Sequence, residues 1–282
     1  MLFSVWISAA GPWDDALAVG RHAEATGWDG LWLADHFMNN GDGPNDAPNH
    51  EAFALLAGLA AAVPRVRIGS LVAGNTYRHP AVLAKTATTI DHISGGRMVL
   101  GIGAGWQVNE HEAYGIPLGT VRERMAWFEE ACQVLTSLLS QETTTFDGSY
   151  YQLKDARNEP KGPQQPHPPI CIGGSGEKRT LRITAKYADH WNFVGGPPEE
   201  FARKRDVLAS HCADLGRDPK EIMLSSHVRL GADRDYAKVV DEAAALGAEG
   251  LDLAIIYLPP PLDPAVLEPL AEAIRDSGQL TA

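Results

Sequence analysis

ICIGGSGEKRTLRITAKYADHWN, residues 170–192, passes from an apolar β-prone run through a glycine-rich turn into a segment of helical period, then into a second apolar run. A strand, a turn, a helix and another strand in so short a span make a βαβ unit, whose strands pair in parallel with the helix as crossover. The same grammar repeats along the chain. LFSVWIS (2–8), GLWLADHF (30–37), RVRIGSLVAG (65–74), RMVLGIGAG (97–105), PPICIGG (168–174), ADHWNFV (188–194), EIMLSSHVRLG (221–231) and GLDLAIIY (250–257) read as strands. Helical periods follow them at 14–27, 51–63, 80–94, 121–140, 177–187, 198–215, 235–246 and 263–277. Eight such pairs in 282 residues predict α/β architecture, a single (β/α)8 TIM barrel over 1–282. A doubly wound open sheet is the rival.

Two insertions break the rhythm. The loop 38–50 is rich in Gly, Asn and Pro, and 141–168 holds TTTFDGSYYQL, whose DG turn between β-prone flanks predicts a hairpin. Both belong on the face of a barrel that carries function.

Composition excludes several classes. A formal charge of -12 repels nucleic acid and anionic membrane, so any phosphate site is local. Cys132, Cys171 and Cys212 are an odd number with no CxxC pair, which fits a reducing cytoplasm better than a disulfide framework. The opening MLFSVWISAAG lacks a basic n-region and reads as a first strand.

The turn GGSGEKRT falls where a barrel strand gives way to its helix. Amides at a helix start carry partial positive charge, and glycines let a phosphate approach them. Ser175 adds a hydroxyl, with Lys178 and Arg179 nearby. The alternative is a tight connection with both basic residues solvated. The spacing is not that of a Walker loop. GIGAGW (101–106) lacks GxGxxG spacing, so its glycines point to something flat against the strand end, with Trp106, Asn109 and Glu110 leaning over it. NEHEAYG (109–115) has no HExxH pattern, and His111 with Glu112 reads as part of a solvated loop. His22, His211 and His227 read as surface or core residues.

Together WLADHF (32–37), GSLVAGNTYRHPAVLAKTATTIDHISGGRMVLGIGAGW (69–106) and GGSGEKRTLRITAKYADHWN (173–192) resemble the luciferase-like flavin and deazaflavin oxidoreductases over nearly the whole chain. The DHF triplet and the GGSGEKRTLR turn are most similar to the branch that uses coenzyme F420. The resemblance implies that Asp35 and His36 lie beside the reactive edge of the ring, with His36 the catalytic residue, since an imidazole exchanges protons near neutrality. It implies that the strand through Leu71, Val72 and Ala73 bulges at a non-prolyl cis peptide, Leu71–Val72, and backs the ring. Asn75, Thr76 and Arg78 would line the mouth, and Asn109 would meet the ring or ribityl chain. Gly173, Gly174, Ser175, Gly176 and Arg179 would hold the phosphate, leaving Lys178 for the anionic tail.

Trp106 stands where sugar-phosphate dehydrogenases of this superfamily have an acid, and Asn39-Asn40 replaces a tryptophan after their DHF motif. A reductase acting on a less polar substrate is the expectation. FMN with oxygen, as in a monooxygenase, is one alternative; a non-catalytic barrel binding a phosphate ligand is another. Relatives are commonly dimers, which suggests a homodimer through the alanine-rich helices 51–63 and 121–140.

Overall fold

A computed structural model describes residues 1–40, 48–259 and 261–278; the middle of the predicted loop 38–50, residues 41–47, lies outside the described residues. In chain order the elements are β1 (Leu2–Trp6), α1 (Trp13–Thr26), β2 (Gly30–Leu33), α2 (Ala52–Ala62), β3 (Arg67–Ser70), β4 (Ala73–Gly74), α3 (Pro80–Ser94) and β5 (Met98–Gly103). Then come α4 (Val108–Tyr114), α5 (Val121–Ser140), β6 (Thr144–Asp147), β7 (Gln152–Ala156), β8 (Ile170–Gly173), α6 (Thr180–Tyr187) and β9 (His190–Phe193). The chain continues through α7 (Pro198–Asp214), β10 (Met223–Arg229), α8 (Tyr236–Ala248), β11 (Leu253–Tyr257) and α9 (Leu267–Asp276).

The strands pair in the order β3-β2-β1-β11-β10-β9-β8-β5, and β3 also pairs with β5, which closes eight parallel strands into a barrel. The strands end earlier than the apolar runs suggest. GLWLADHF is a strand only to Leu33, so Asp35 and His36 lie beyond the sheet.

The run 65–74 is a kinked strand in two pieces, with the bulge where the family resemblance implies it. β3 meets the start of β5, Ile68 opposite Met98, while β4 meets its end, Ala73 opposite Ile102. Between them lies the cis peptide Leu71–Val72. Where the backbone ladder parts, Ser70 replaces it: its Oγ donates to the Gly101 carbonyl at 2.8 Å and accepts from the Gly101 amide at 2.9 Å. The buried polar groups of the gap are thereby satisfied.

Inward-facing glycines set the barrel's filling. Trp32 spans the interior because Gly69 presents no Cβ; one there would fall 2.3 Å from the indole. Around Trp32 pack Leu71, Val99, Cys171, Leu253 and Ile255, with Trp6 and Val72 above them. Outside, the helices bury their apolar faces on the sheet; in α5 these are Met125, Phe128, Cys132, Leu135 and Leu139. Its N-terminus is fixed by a reciprocal capping pair, Thr120 and Glu123. Arg97 ties α2 and α3 to the barrel base, donating to the carbonyls of Ala60 at 2.8 Å and Ser94 at 2.6 Å.

The predicted hairpin is present as antiparallel β6 and β7. Glu130 of α5 accepts the amides of Ser149, Tyr150 and Tyr151 and so anchors its tip. All three cysteines are buried free thiols, and among the described residues no helix is long and apolar enough to cross a membrane.

A Cβ on Gly101 would sit 1.9 Å from the Ser70 carbonyl oxygen, where only backbone could yield. Gly101→Ala is expected to lower unfolding free energy by about 3 kcal/mol, read as a fall in the urea midpoint at unchanged slope.

Candidate active site at the barrel mouth

The C-terminal ends of the strands surround a cavity of about 600 Å³. Its wall includes Leu71 to Gly74 on the kinked side, Gly103 to Trp106 at the end of β5, Gly173 and Gly174 at the end of β8, and Trp6, His227, Arg229 and Tyr257 across the mouth. Catalytic groups of barrel enzymes stand at this end.

The loop after β2 brings His36 to the wall, and α4 holds it there. His36 Nδ1 lies 2.7 Å from Glu110 Oε1, and the side-chain exposures are 27% and 0%. The Glu110 carboxylate also accepts the Phe37 amide at 2.7 Å and the Tyr77 hydroxyl. Burial works against its charge, but the hydrogen bonds from His36, Tyr77 and Phe37 together outweigh burial and hold the carboxyl below the usual carboxylate range. A carboxylate at Nδ1 fixes that nitrogen as the donor and leaves Nε2 for chemistry. The Trp106 ring stands edge-on to the imidazole at 5.6 Å.

NEHEAYG is therefore no solvated loop. It forms the short helix α4, with Glu110 and His111 among its buried residues. His111 Nε2 lies 2.7 Å from Thr76 Oγ1 and its Nδ1 2.6 Å from the Gln107 carbonyl. Without an amphipathic repeat long enough to register, seven residues give no helical signal in sequence. The Gly115 stop and the acidic first turn were the available cues.

Asp35 is on the wall but fully engaged. Arg78 grips it with two nitrogens, Nη1 to Oδ2 at 2.5 Å and Nη2 to Oδ1 at 3.0 Å, and the Gly74 amide donates to Oδ2 at 3.1 Å. Burial pushes the Asp35 carboxyl up, against the pull of Arg78 and Gly74. Arg78, expected at the mouth, is instead held between Asp35 and Glu51 and stacks over Phe53. Its task is to lock the loop after β2 onto β4.

The glycines of GIGAGW also have a more local reason than a flat ligand. Cβ atoms on Gly103 and Gly173 would lie 2.9 and 3.1 Å from Val72, so the notches they leave take the Val72 isopropyl group. Val72 then presents its other side to the cavity. Ala73 packs beneath it in the core, and Asn75 is buried, its Nδ2 donating to the Tyr151 hydroxyl at 3.3 Å while Oδ1 has no partner.

At the end of β8, Gly173 and Gly174 reach the cavity wall, and Ser175, Gly176 and Arg179 continue the turn beyond it. The helix begins at Thr180, three residues later than its pattern suggests. Among the described residues, the amides of Ser175 to Lys178 donate to no protein group, and Ser175 Oγ is buried without a partner. Arg179 reaches back to α5, donating to the Arg122 carbonyl at 3.1 Å. Asn109 turns from the cavity, donating to the Asn39 carbonyl at 2.9 Å and accepting from the Glu110 amide.

His227, which carries no local signal, lines the mouth beside Tyr257, with 3.4 Å between Nε2 and the phenol oxygen. Burial, then the neighbouring Arg229 charge, pushes this imidazole down to about 3, so it is neutral in the working range.

A closed parallel barrel with an acid-backed histidine and an open amide turn at its C-terminal end is the layout of a barrel enzyme. Residues 2–273 match the model of the luciferase-like monooxygenase family, and the chain belongs to that family. It is 38% identical over 223 residues to the F420-dependent glucose-6-phosphate dehydrogenase of Kineococcus radiotolerans, covering 78% of this chain and 64% of that one. It is 34% identical over 223 residues to the pyrimidine monooxygenase RutA of Methylobacterium radiotolerans, covering 72% of this chain and 56% of that one. The chain thus spans less than two thirds of the length of either relative. Its fold superposes with a TM-score of 0.86 on an F420-dependent secondary alcohol dehydrogenase in complex with an F420-acetone adduct, at 19% identity, over 98% of this chain and 99% of the other.

Glu110→Gln keeps the shape of the His36 anchor and removes its charge. Because the folded carboxyl titrates below its unfolded value, its contribution is complete above the ordinary carboxylate range and is lost as pH falls through the lowered folded value. Urea unfolding is expected to find the variant about 2 kcal/mol less stable at pH 7, with the gap closing as pH falls below the ordinary carboxylate range.

Proposed function

We propose that the protein is a coenzyme F420-dependent oxidoreductase, acting as a reductase on a small organic substrate, with His36 as its catalytic residue. The observation that carries this is the His36–Glu110 pair at the cavity wall, facing a mouth whose polar vacancies suit a phosphate-bearing tricycle. The 38% identity to an F420-dependent dehydrogenase supports the cofactor.

The fit rests on particular atoms. The unpartnered Ser175 hydroxyl and the free amides after it would hold the phosphate. Val72, seated in its glycine notches, would back the ring, and Asn75 keeps an unpaired carbonyl close behind. Arg179 stands by the turn with its guanidinium braced on α5. Lys178, exposed on the same turn, would face the tail.

When bound, a deazaflavin supplies or accepts a hydride and, lacking the flavin nitrogen at the reactive position, does not react with oxygen. His36 completes the reduction by delivering a proton from Nε2 to the atom beside the one that gains the hydride, so the substrate gains two electrons and two hydrogens. Glu110 keeps Nδ1–H oriented and so leaves Nε2 as the atom that exchanges the proton. Exposed Trp106 supplies an apolar edge beside His36 in place of an acid, which suits an enone, imine or nitro group better than a sugar.

A second reading keeps the barrel and uses reduced FMN with oxygen; the 34% identity to a pyrimidine monooxygenase favours it. Titration of the purified chain with F420 and with FMN, followed by absorbance and fluorescence, separates the two. F420 is expected to bind at least about tenfold tighter, and His36→Ala to keep that binding while losing about 100-fold or more in turnover. The reverse order of affinities would favour the monooxygenase, and binding of neither would remove the redox reading.

A further inference from the structure

Across the mouth from the kinked strand, three neighbouring strand ends carry a stack that the hydride-transfer machinery leaves unused. Trp6, Tyr257 and Arg229 stand at matched register positions on β1, β11 and β10. The Trp6 and Tyr257 rings are parallel at 4.2 Å, and the Arg229 guanidinium lies 4.8 Å from the Tyr257 centroid. β11 lies between the other two strands, and Arg229, itself exposed, lays its guanidinium against an aromatic face.

Arg229 is the only arginine or lysine on the cavity wall among the described residues. The Asp35 charge is already matched by Arg78, and His36 is engaged by Glu110. No carboxylate or carbonyl among the described residues accepts from Arg229, although Glu242 on α8 lies within reach of its field. His227, half-buried beside it, adds no charge of its own. The corner is short of acceptors, for the Trp6 indole N–H is also buried without one. A guanidinium is weakly hydrated and offers a planar fork that carboxylates match with two hydrogen bonds. Against an aromatic wall such a pair is stronger than in open water.

Resting on the hydride-transfer reading of this cavity, we propose that Arg229 anchors a carboxylate of the substrate, which is therefore a small unsaturated organic acid. Its charged end sits at Arg229, and its apolar body extends between the Trp6–Tyr257 stack and His36.

Calorimetric titration of the full chain with benzoate, and with benzamide as its neutral isostere, tests the anchor apart from the cofactor. The wild type is expected to bind benzoate about tenfold tighter than benzamide, and the preference to weaken as salt rises. Arg229→Gln should abolish the preference while leaving benzamide and F420 affinities unchanged, and Arg229→Lys should restore part of it. Equal affinities in the wild type, or a preference that survives in Arg229→Gln, would overturn the proposal. Loss of F420 affinity in Arg229→Gln with benzoate unaffected would overturn it too, by giving the guanidinium to the coenzyme's tail. A wild type that prefers benzoate yet takes up no F420 would instead sink the hydride-transfer reading and, with it, the substrate role.

Discussion

The carboxylate of Glu110 gathers three strand ends that the barrel alone does not hold together. From α4, after β5, it takes the His36 imidazole and the Phe37 amide from the segment after β2 and the Tyr77 hydroxyl from the segment after β4. A buried charge is tolerable only when its lone pairs are filled, and here they are filled by the groups that shape the cavity. The same atoms therefore keep the acid ionised, fix the histidine's tautomer and set the spacing of neighbouring loops. Asp35 works alongside, joining Gly74 and Arg78, so the loop after β2 is pinned by two carboxylates facing different partners.

The barrel could be read from the chain because each βαβ unit writes its own signal: a short apolar run, a turn, a helical period. Residues 170–192 carry all of it, and the strands there differ from their runs by two residues or fewer at each end. Reading failed where tertiary context replaced local pattern. The run 65–74 reads as one β-prone stretch and gives no sign that Ser70 takes over from the backbone ladder, because that exchange depends on Gly101, thirty-one residues away. The cis bond at Leu71–Val72 came from family resemblance, not from periodicity.

The site divides in the same way. His36 and the glycine turn stand out because their residue types are chemically specific and sit at predicted strand ends. Glu110 was noted beside Trp106, but its buried partnership with His36 spans seventy-four positions and leaves no local trace. Arg78 looked available because an arginine near a strand end usually is; two carboxylates from different loops claim it. His227 looked ordinary because nothing in EIMLSSHVRLG shows which face of the strand turns inward.

The turn of the hairpin β6–β7 is held from two sides: Glu130 of α5 receives the amides of Ser149, Tyr150 and Tyr151, and the Tyr151 hydroxyl meets Asn75 after β4. A turn clamped in this way is mechanically a strut: it carries a change in the hairpin to Asn75 without rebuilding the barrel staves. Variation in what such a barrel admits can thus arise in a segment that contributes no stave at all.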